Sequence, residues 1–280
     1  MASPDSVSAV SALPEDLLRI EAGSISHPGV KRAQNEDSLL VAPEIGVFAV
    51  ADGMGGHEDG ALASATIVGA LASIGAAVSA ADLMARLEDR ILRANAELRA
   101  AGQARNCVIG STLAVLLLFG RDYACVWSGD SRIYRIRDGL IEQITRDHTE
   151  GRDLFERGIL TAAEMESWPR RHVLTRALGV DDRPELESEQ GVVSAGDVFV
   201  ICSDGLTAHV TDGDILLAAD TSAPQWACDS LLDLTLERGA SDNVTTIVIR
   251  CGYRGRATEA PRQENGMTVL MPAGAAAGDA

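Results

Sequence analysis

STLAVLLLFGRDYACVWSGDSRIYRIRDGLIEQIT, residues 111–145, holds four apolar runs of strand length: Ser111–Leu118, Tyr123–Ser128, Arg132–Arg137 and Leu140–Thr145. Arg137-Asp138-Gly139 is a turn that joins the last two runs as a hairpin. Working outward, Gly46–Ala51 (GVFAVA) is a short apolar strand that stops at Asp52-Gly53, and a further strand is expected over 38–42. Between these strands and the 111–145 run lie two helical segments. The alanine-rich stretch 60–78 reads as a buried helix. The next begins at Asp82, a plausible N-cap, and places Leu83, Leu87, Ile91, Ala94 and Leu98 on one face. On the C-terminal side, residues 146–185 are polar and irregular, with short helical stretches at Leu154–Arg157 and Ala162–Glu166. Strands resume at Asp197–Cys202 and Val244–Arg250, separated by helical pieces near Asp212–Ala219 and Gln225–Arg238. Strand hairpins interrupted by paired helices, and not one helix per strand, favour an α+β fold with antiparallel sheets over a doubly wound parallel sheet.

The chain divides into an N-terminal extension (1–22), a catalytic-size domain (23–253) and a C-terminal tail (254–280) rich in alanine, glycine and charge, which reads as flexible. A short helix is expected at Glu15–Ile20. Hydrophobic residues make up 46% of the sequence, enough for a real core, whereas aromatics at 4% offer no stacking platform for bases or sugars. A net charge of -17 opposes nucleic acid as a partner. Five cysteines without CxxC spacing argue for a reducing compartment and against a disulfide scaffold or a zinc knuckle. Gly60–Ala81 carries no charged residue, but its alanine, serine and glycine content suits a buried soluble helix better than a membrane span. With no signal peptide evident, a cytoplasmic monomer is expected.

Acidic residues fall at strand ends. Asp52 closes VFAVA and precedes Gly53; Asp204 follows VFVICS and precedes Gly205; Asp242 precedes Asn243 and the strand VTTIVIR. A short carboxylate at a strand end is held rigidly at the edge of a sheet, and an adjacent glycine lets the backbone turn and bring a carbonyl close. Glu36-Asp37 adds two acids before the strand at 38–42. Carboxylates and a carbonyl without a cysteine or histidine cluster form a hard oxygen site, suited to Mg²⁺ or Mn²⁺. Singly, each Asp-Gly is more often only a turn.

Together these residues resemble the metal-dependent protein phosphatases of the protein phosphatase 2C family, in its bacterial form. RAQNED (32–37), VADGMGGH (50–57), GSTLAV (110–115), SGDSRIYRIRDG (128–139), TRDHT (145–149), PRRHVLTRALG (169–179), CSDGL (202–206) and SDNVT (241–245) carry the likeness, in the family's order, over about 24–251. The resemblance implies a four-layer αββα sandwich: two antiparallel sheets face to face, with a helix pair outside each. It implies that Asp52 bridges two divalent cations, Mn²⁺ or Mg²⁺, that Asp204 and Asp242 complete the first, and that the Gly53 carbonyl, Glu36 and Asp37 serve the second. Arg32 matches the phosphate-binding arginine, whose fork grips two oxygens at once. Asp130 matches an aspartate of a third, weaker metal site in bacterial relatives; taken alone it reads equally as a turn residue.

The implied chemistry is hydrolysis of phosphoserine and phosphothreonine by a metal-activated water, without a phosphoenzyme. Two departures stand out. Met54 occupies the place where eukaryotic relatives have a histidine general acid, and His57 either substitutes for it or caps the following helix. Ala61 stands where bacterial relatives commonly carry glutamate. His148 and His172 lie in or near a segment that forms a mobile flap in relatives and are read as substrate-recognising. The implied partners are phosphorylated proteins and a cognate serine/threonine kinase pathway, one option being a secretion apparatus controlled by threonine phosphorylation. The alternative is a pseudophosphatase that binds phosphoproteins without hydrolysing them; a nuclease and a haloacid-dehalogenase-type phosphatase fit the charge and the motifs less well.

Overall fold

The computed structural model describes residues 18–55, 58–219 and 223–253. Eleven strands and seven helices follow in the order β1 (Leu18–His27), β2 (Asp37–Ala42), β3 (Val47–Met54), α1 (Glu58–Ala72), α2 (Ala80–Arg105), β4 (Gly110–Ser111), β5 (Leu113–Phe119), β6 (Asp122–Ser128), β7 (Arg132–Arg137), β8 (Leu140–Gln143), α3 (Glu150–Glu156), α4 (Ala162–Ser167), β9 (Glu187–Val192), β10 (Val198–Cys202), α5 (Asp204–Thr207), α6 (Asp212–Ala219), α7 (Pro224–Glu237) and β11 (Val244–Tyr253). One antiparallel sheet has the order β2-β3-β5-β6-β9, with β4 beside β3; the other has the order β1-β11-β10-β7-β8.

The two-residue period of the strands sorts their side chains into layers. Phe48 and Val50 of β3, with Leu116 and Cys125, face Ile133, Phe199, Ile201 and Ile249 and fill the space between the sheets. The intervening Val47, Ala49 and Ala51 turn outward onto Ala63, Ile67 and Leu71 of α1 and Leu87 and Ile91 of α2. On the other side Val198, Val200 and Val248 pack against Ile215 of α6 and Ala227 and Leu231 of α7. The molecule is therefore an α+β four-layer sandwich, as expected, with the central strands of both sheets buried on both faces. That explains why β5 and β10 are continuous apolar runs and do not alternate. Among the described residues no helix is long and apolar enough to cross a membrane.

Several expectations need correction. Residues 18–20 are not helical; they open β1, where Leu18, Ile20 and Ala22 alternate into the inter-sheet layer. The folded unit therefore begins ahead of residue 23. The helix N-cap is Ser79, whose hydroxyl accepts the Asp82 N–H at 3.1 Å; Asp82 lies inside the first turn. β3 does not stop at Asp52-Gly53 but runs to Met54, because Gly53 and Met54 pair with Ser111 and Gly110 of β4. The C-terminal tail and residues before 18 lie outside the described residues.

Candidate metal centre

The strand ends bring the acids to one edge of the sandwich. Asp37, the first residue of β2, is the cross-strand partner of Asp52 on β3. Asp130 follows β6, Asp204 opens α5 directly after β10, and Asp242 lies just ahead of β11. Together with Arg32 and Glu36, four of these aspartates (52, 130, 204 and 242) line a cleft of about 500 Å³. Asp37 lies outside that lining and is buried.

Each acid is fixed through its backbone or its neighbours. The Asp52 N–H donates to Thr112 Oγ1 at 3.0 Å, and its carbonyl accepts the Thr112 N–H at 2.9 Å. The Glu36 carbonyl accepts from the Gly53 N–H (3.1 Å) and from Ser64 Oγ (2.6 Å). Asp37 Oδ2 accepts the Ser203 hydroxyl at 2.8 Å, while its buried Oδ1 has no hydrogen-bond partner. A methyl group on Gly60 would stand 2.1 Å from Glu36 Oε2 and 3.0 Å from Gly53 O, so glycine there leaves these two oxygens facing a shared space. Arg32 Nη2 donates to Asp242 Oδ2 at 2.7 Å.

The crowding perturbs the carboxyls strongly. Burial, reinforced by repulsion from Asp37, Asp204, Asp130 and Asp242, holds the pKa of Asp52 well above the carboxylate range. Burial likewise pushes Asp130 up to about 8, with Asp204 and Asp147 adding to the effect. Asp37 rises to about 6 through burial, opposed by hydrogen bonds from Thr245 and Ser203. Asp204 is raised by burial and then by Asp242. A pocket that disfavours so many negative charges is one in which added positive charge is strongly stabilised.

Among the described residues no three Asp, Glu, His or Cys side chains meet as a closed metal-binding group. The carboxylates ring the cleft, and Asp242 is engaged by Arg32. The donor chemistry nevertheless fits hard divalent cations: carboxylate and carbonyl oxygens only, one carboxylate oxygen buried without a partner, and an oxygen-lined space kept open by Gly60.

Of the expected residues, Arg32, Glu36, Asp52, Gly53, Asp130, Asp204 and Asp242 share the cleft, with Asp37 directly behind it. His57 lies outside the described residues. His172 lines the cleft, whereas His148 is not part of its lining: its ring is buried, stacks on Trp127 with centroids 6.2 Å apart, and accepts the Gly129 N–H at Nδ1 (3.1 Å). Its backbone N–H donates to Gly129 O at 3.0 Å, so His148 secures the turn that carries Asp130. Sequence reasoning missed Thr112, Ser203 and Asn243, which anchor the acids; the signal available was that each adjoins or lies within a quoted motif.

A model of the protein phosphatase 2C family matches residues 30–231. The chain belongs to this family. The serine/threonine protein phosphatase PstP of Mycobacterium tuberculosis is 35% identical over 257 residues, covering 91% of this chain and 48% of that protein, so the chain spans about half its length. Among solved structures of the family, PppA, described as a key regulatory component of T6SS in Pseudomonas aeruginosa, is 39% identical with a TM-score of 0.77, covering 83% of this chain and 97% of that one. The catalytic domain of PstP in complex with two manganese ions is 34% identical with a TM-score of 0.75, covering 84% of this chain and all of that one.

Proposed function

We propose that this chain is a metal-dependent protein serine/threonine phosphatase. The observation that carries the reading is the convergence of Asp52, Asp130, Asp204 and Asp242, from separate strand ends, on one cleft, with Asp37 buried behind it and with burial and mutual repulsion raising the pKa of Asp52. Family membership and the two manganese ions of the PstP catalytic domain support it.

Asp52 would hold both of two divalent cations, Mn²⁺ or Mg²⁺, with Asp204 and Asp242 on one and the Gly53 carbonyl, Glu36 and Asp37 toward the other; Asp130 would serve a third, weaker site. When bound, such cations supply a water acidic enough to act as a nucleophile near neutral pH and offset charge on the phosphoryl group. The protein's own part is positional. Thr112 fixes the Asp52 backbone, Ser203 orients Asp37, and Arg32 stands at the cleft edge where its guanidinium can take two phosphate oxygens. No serine or cysteine is needed as nucleophile, and the buried thiols agree: burial raises Cys125, Cys202, Cys228 and Cys251 away from thiolate formation.

The substrate class is phosphoserine and phosphothreonine in proteins, opposing a bacterial serine/threonine kinase in the cytoplasm. The likeness to a T6SS regulator makes a threonine-phosphorylated secretion component a specific candidate. The test is hydrolysis of a phosphothreonine peptide by the purified chain with Mn²⁺, then with excess chelator, beside Asp52→Asn. Turnover that requires the metal and vanishes in the variant is the expected result. A folded protein without turnover in Mn²⁺ or, in a parallel assay, in Mg²⁺ would turn the reading toward a phosphoprotein-binding module.

A further inference from the structure

Asn243 connects three parts of the cleft that no other described side chain joins in this way. The residue is buried at 5% exposure, and its carboxamide is hydrogen-bonded through both nitrogen and oxygen. Nδ2 donates to Pro28 O at 3.0 Å and to Gln34 O at 2.9 Å, and Oδ1 accepts the Glu36 N–H at 2.8 Å. These bonds grip the 28–36 loop near both of its ends, with Arg32 between them. A backbone bond from Val30 N–H to Ala240 O (2.9 Å) adds a second tie to the same segment. On its other side, the Asn243 N–H donates to Asp242 Oδ1 at 2.9 Å. Its carbonyl lies so close to Gly205 that a methyl there would be 1.9 Å away, which packs the Asp204-Gly205 turn directly on it.

The competing way to hold Arg32 is its ion pair with Asp242. Both partners of that pair are substantially exposed, at 54% and 38%, and exposed pairs contribute little to positioning. Three part-buried hydrogen bonds to the planar amide of one buried residue form a stiffer restraint. We propose that Asn243 is the positioning residue that holds Arg32 and Glu36 in register with Asp204 and Asp242, and thereby sets the phosphate-binding geometry. This inference rests on the reading of Arg32 as the phosphate ligand.

Residue chemistry makes the role specific. Aspartate at 243 has the same shape but would aim an acceptor at two carbonyls, and alanine would leave Pro28 O, Gln34 O and the Glu36 N–H without their partner. A merely structural role would lower stability without regard to Arg32; a positioning role acts through it. The experiment is a double-mutant cycle of Asn243→Asp and Arg32→Ala in the full chain with saturating Mn²⁺, reading the affinity for inorganic phosphate by titration calorimetry. Asn243→Asp is expected to weaken phosphate binding about tenfold in the parent and less than about twofold on the Arg32→Ala background. Equal weakening on both backgrounds overturns the proposal while leaving Arg32 as phosphate ligand. Unchanged phosphate affinity in Arg32→Ala overturns the reading of Arg32 and the proposal with it. The parent protein gives an arm that does not depend on any variant folding: the Glu36 amide should exchange slowly with deuterium, and exchange at the rate of an open loop would overturn the clamp.

Discussion

Asp52 is the residue on which the site turns. Its backbone is paired to Asp37 across β2 and β3 and locked by Thr112, which fixes the point from which its carboxylate reaches the cleft. Asp52→Asn keeps the shape and removes the charge; it should reduce phosphopeptide turnover by at least about a thousandfold, with thermal stability in chelator maintained or improved because a repelled carboxylate is gone. Arg32→Lys tests the fork geometry. Lysine keeps the positive charge but not the paired donors, so kcat/KM for a phosphothreonine peptide should fall about tenfold, mainly through KM. A lysine variant as active as the parent would remove Arg32 from phosphate binding. At this scale the sequence was informative where a rigid strand met an acid, since β3, β10 and β11 announce themselves as apolar runs. The anchoring groups were not legible: Ser203, Thr112 and Asn243 act through contacts between chain segments far apart in sequence, and Asn243 reaches across 207 positions to the Glu36 amide.

At the scale of elements, α2 shows how propensity and packing divide the work. Ser79 caps it, Asn106 closes it in a left-handed conformation, and Leu83, Leu87, Ile91 and Leu98 face the core. Ser79→Ala should cost about 1 kcal/mol in denaturant unfolding, and Leu87→Ala about 2–5 kcal/mol. No measurable loss in Ser79→Ala would remove Ser79 as the cap. The apolar periodicity of α2 made the helix readable, but its start was displaced because Asp82 and Ser79 are both competent caps. β9 escaped notice for a different reason. ESEQGV is polar and sits at a sheet edge, where pairing with β6 and not burial holds it. β1 was missed despite a true strand period, Leu18-Arg19-Ile20-Glu21-Ala22; the short helix expected at Glu15–Ile20 overlaps its first three residues.

For the whole molecule, the sandwich concentrates negative charge along one edge. The linkage has a definite sign. Asp130 has a folded pKa of about 8 against 3.8, so above 3.8 the folded chain holds a proton that the unfolded chain releases. Stability from this group is fully present below 3.8 and is lost as pH rises through about 8. Burial lowers the pKa of His148 from 6.5, so its contribution has the opposite sense and is lost as pH falls below that value. Between pH 6.5 and about 8 the acid cluster therefore governs. In chelator the unfolding temperature should drop across this window, and Asp130→Asn should flatten the drop. Saturating Mn²⁺ should raise the unfolding temperature, most at the upper end. A metal-free protein whose stability climbs over the same window would contradict the electrostatic account.

The two-cation centre is tested most directly by manganese itself. Equilibrium binding of Mn²⁺ to the purified chain, with electron paramagnetic resonance of the loaded protein, reads both the stoichiometry and whether the ions share a ligand. At least two tightly held ions per chain with exchange-coupled spectra, and loss of that coupling in Asp52→Asn, are the expected result. Isolated single-ion spectra at saturation, or coupling that survives Asp52→Asn, would contradict it.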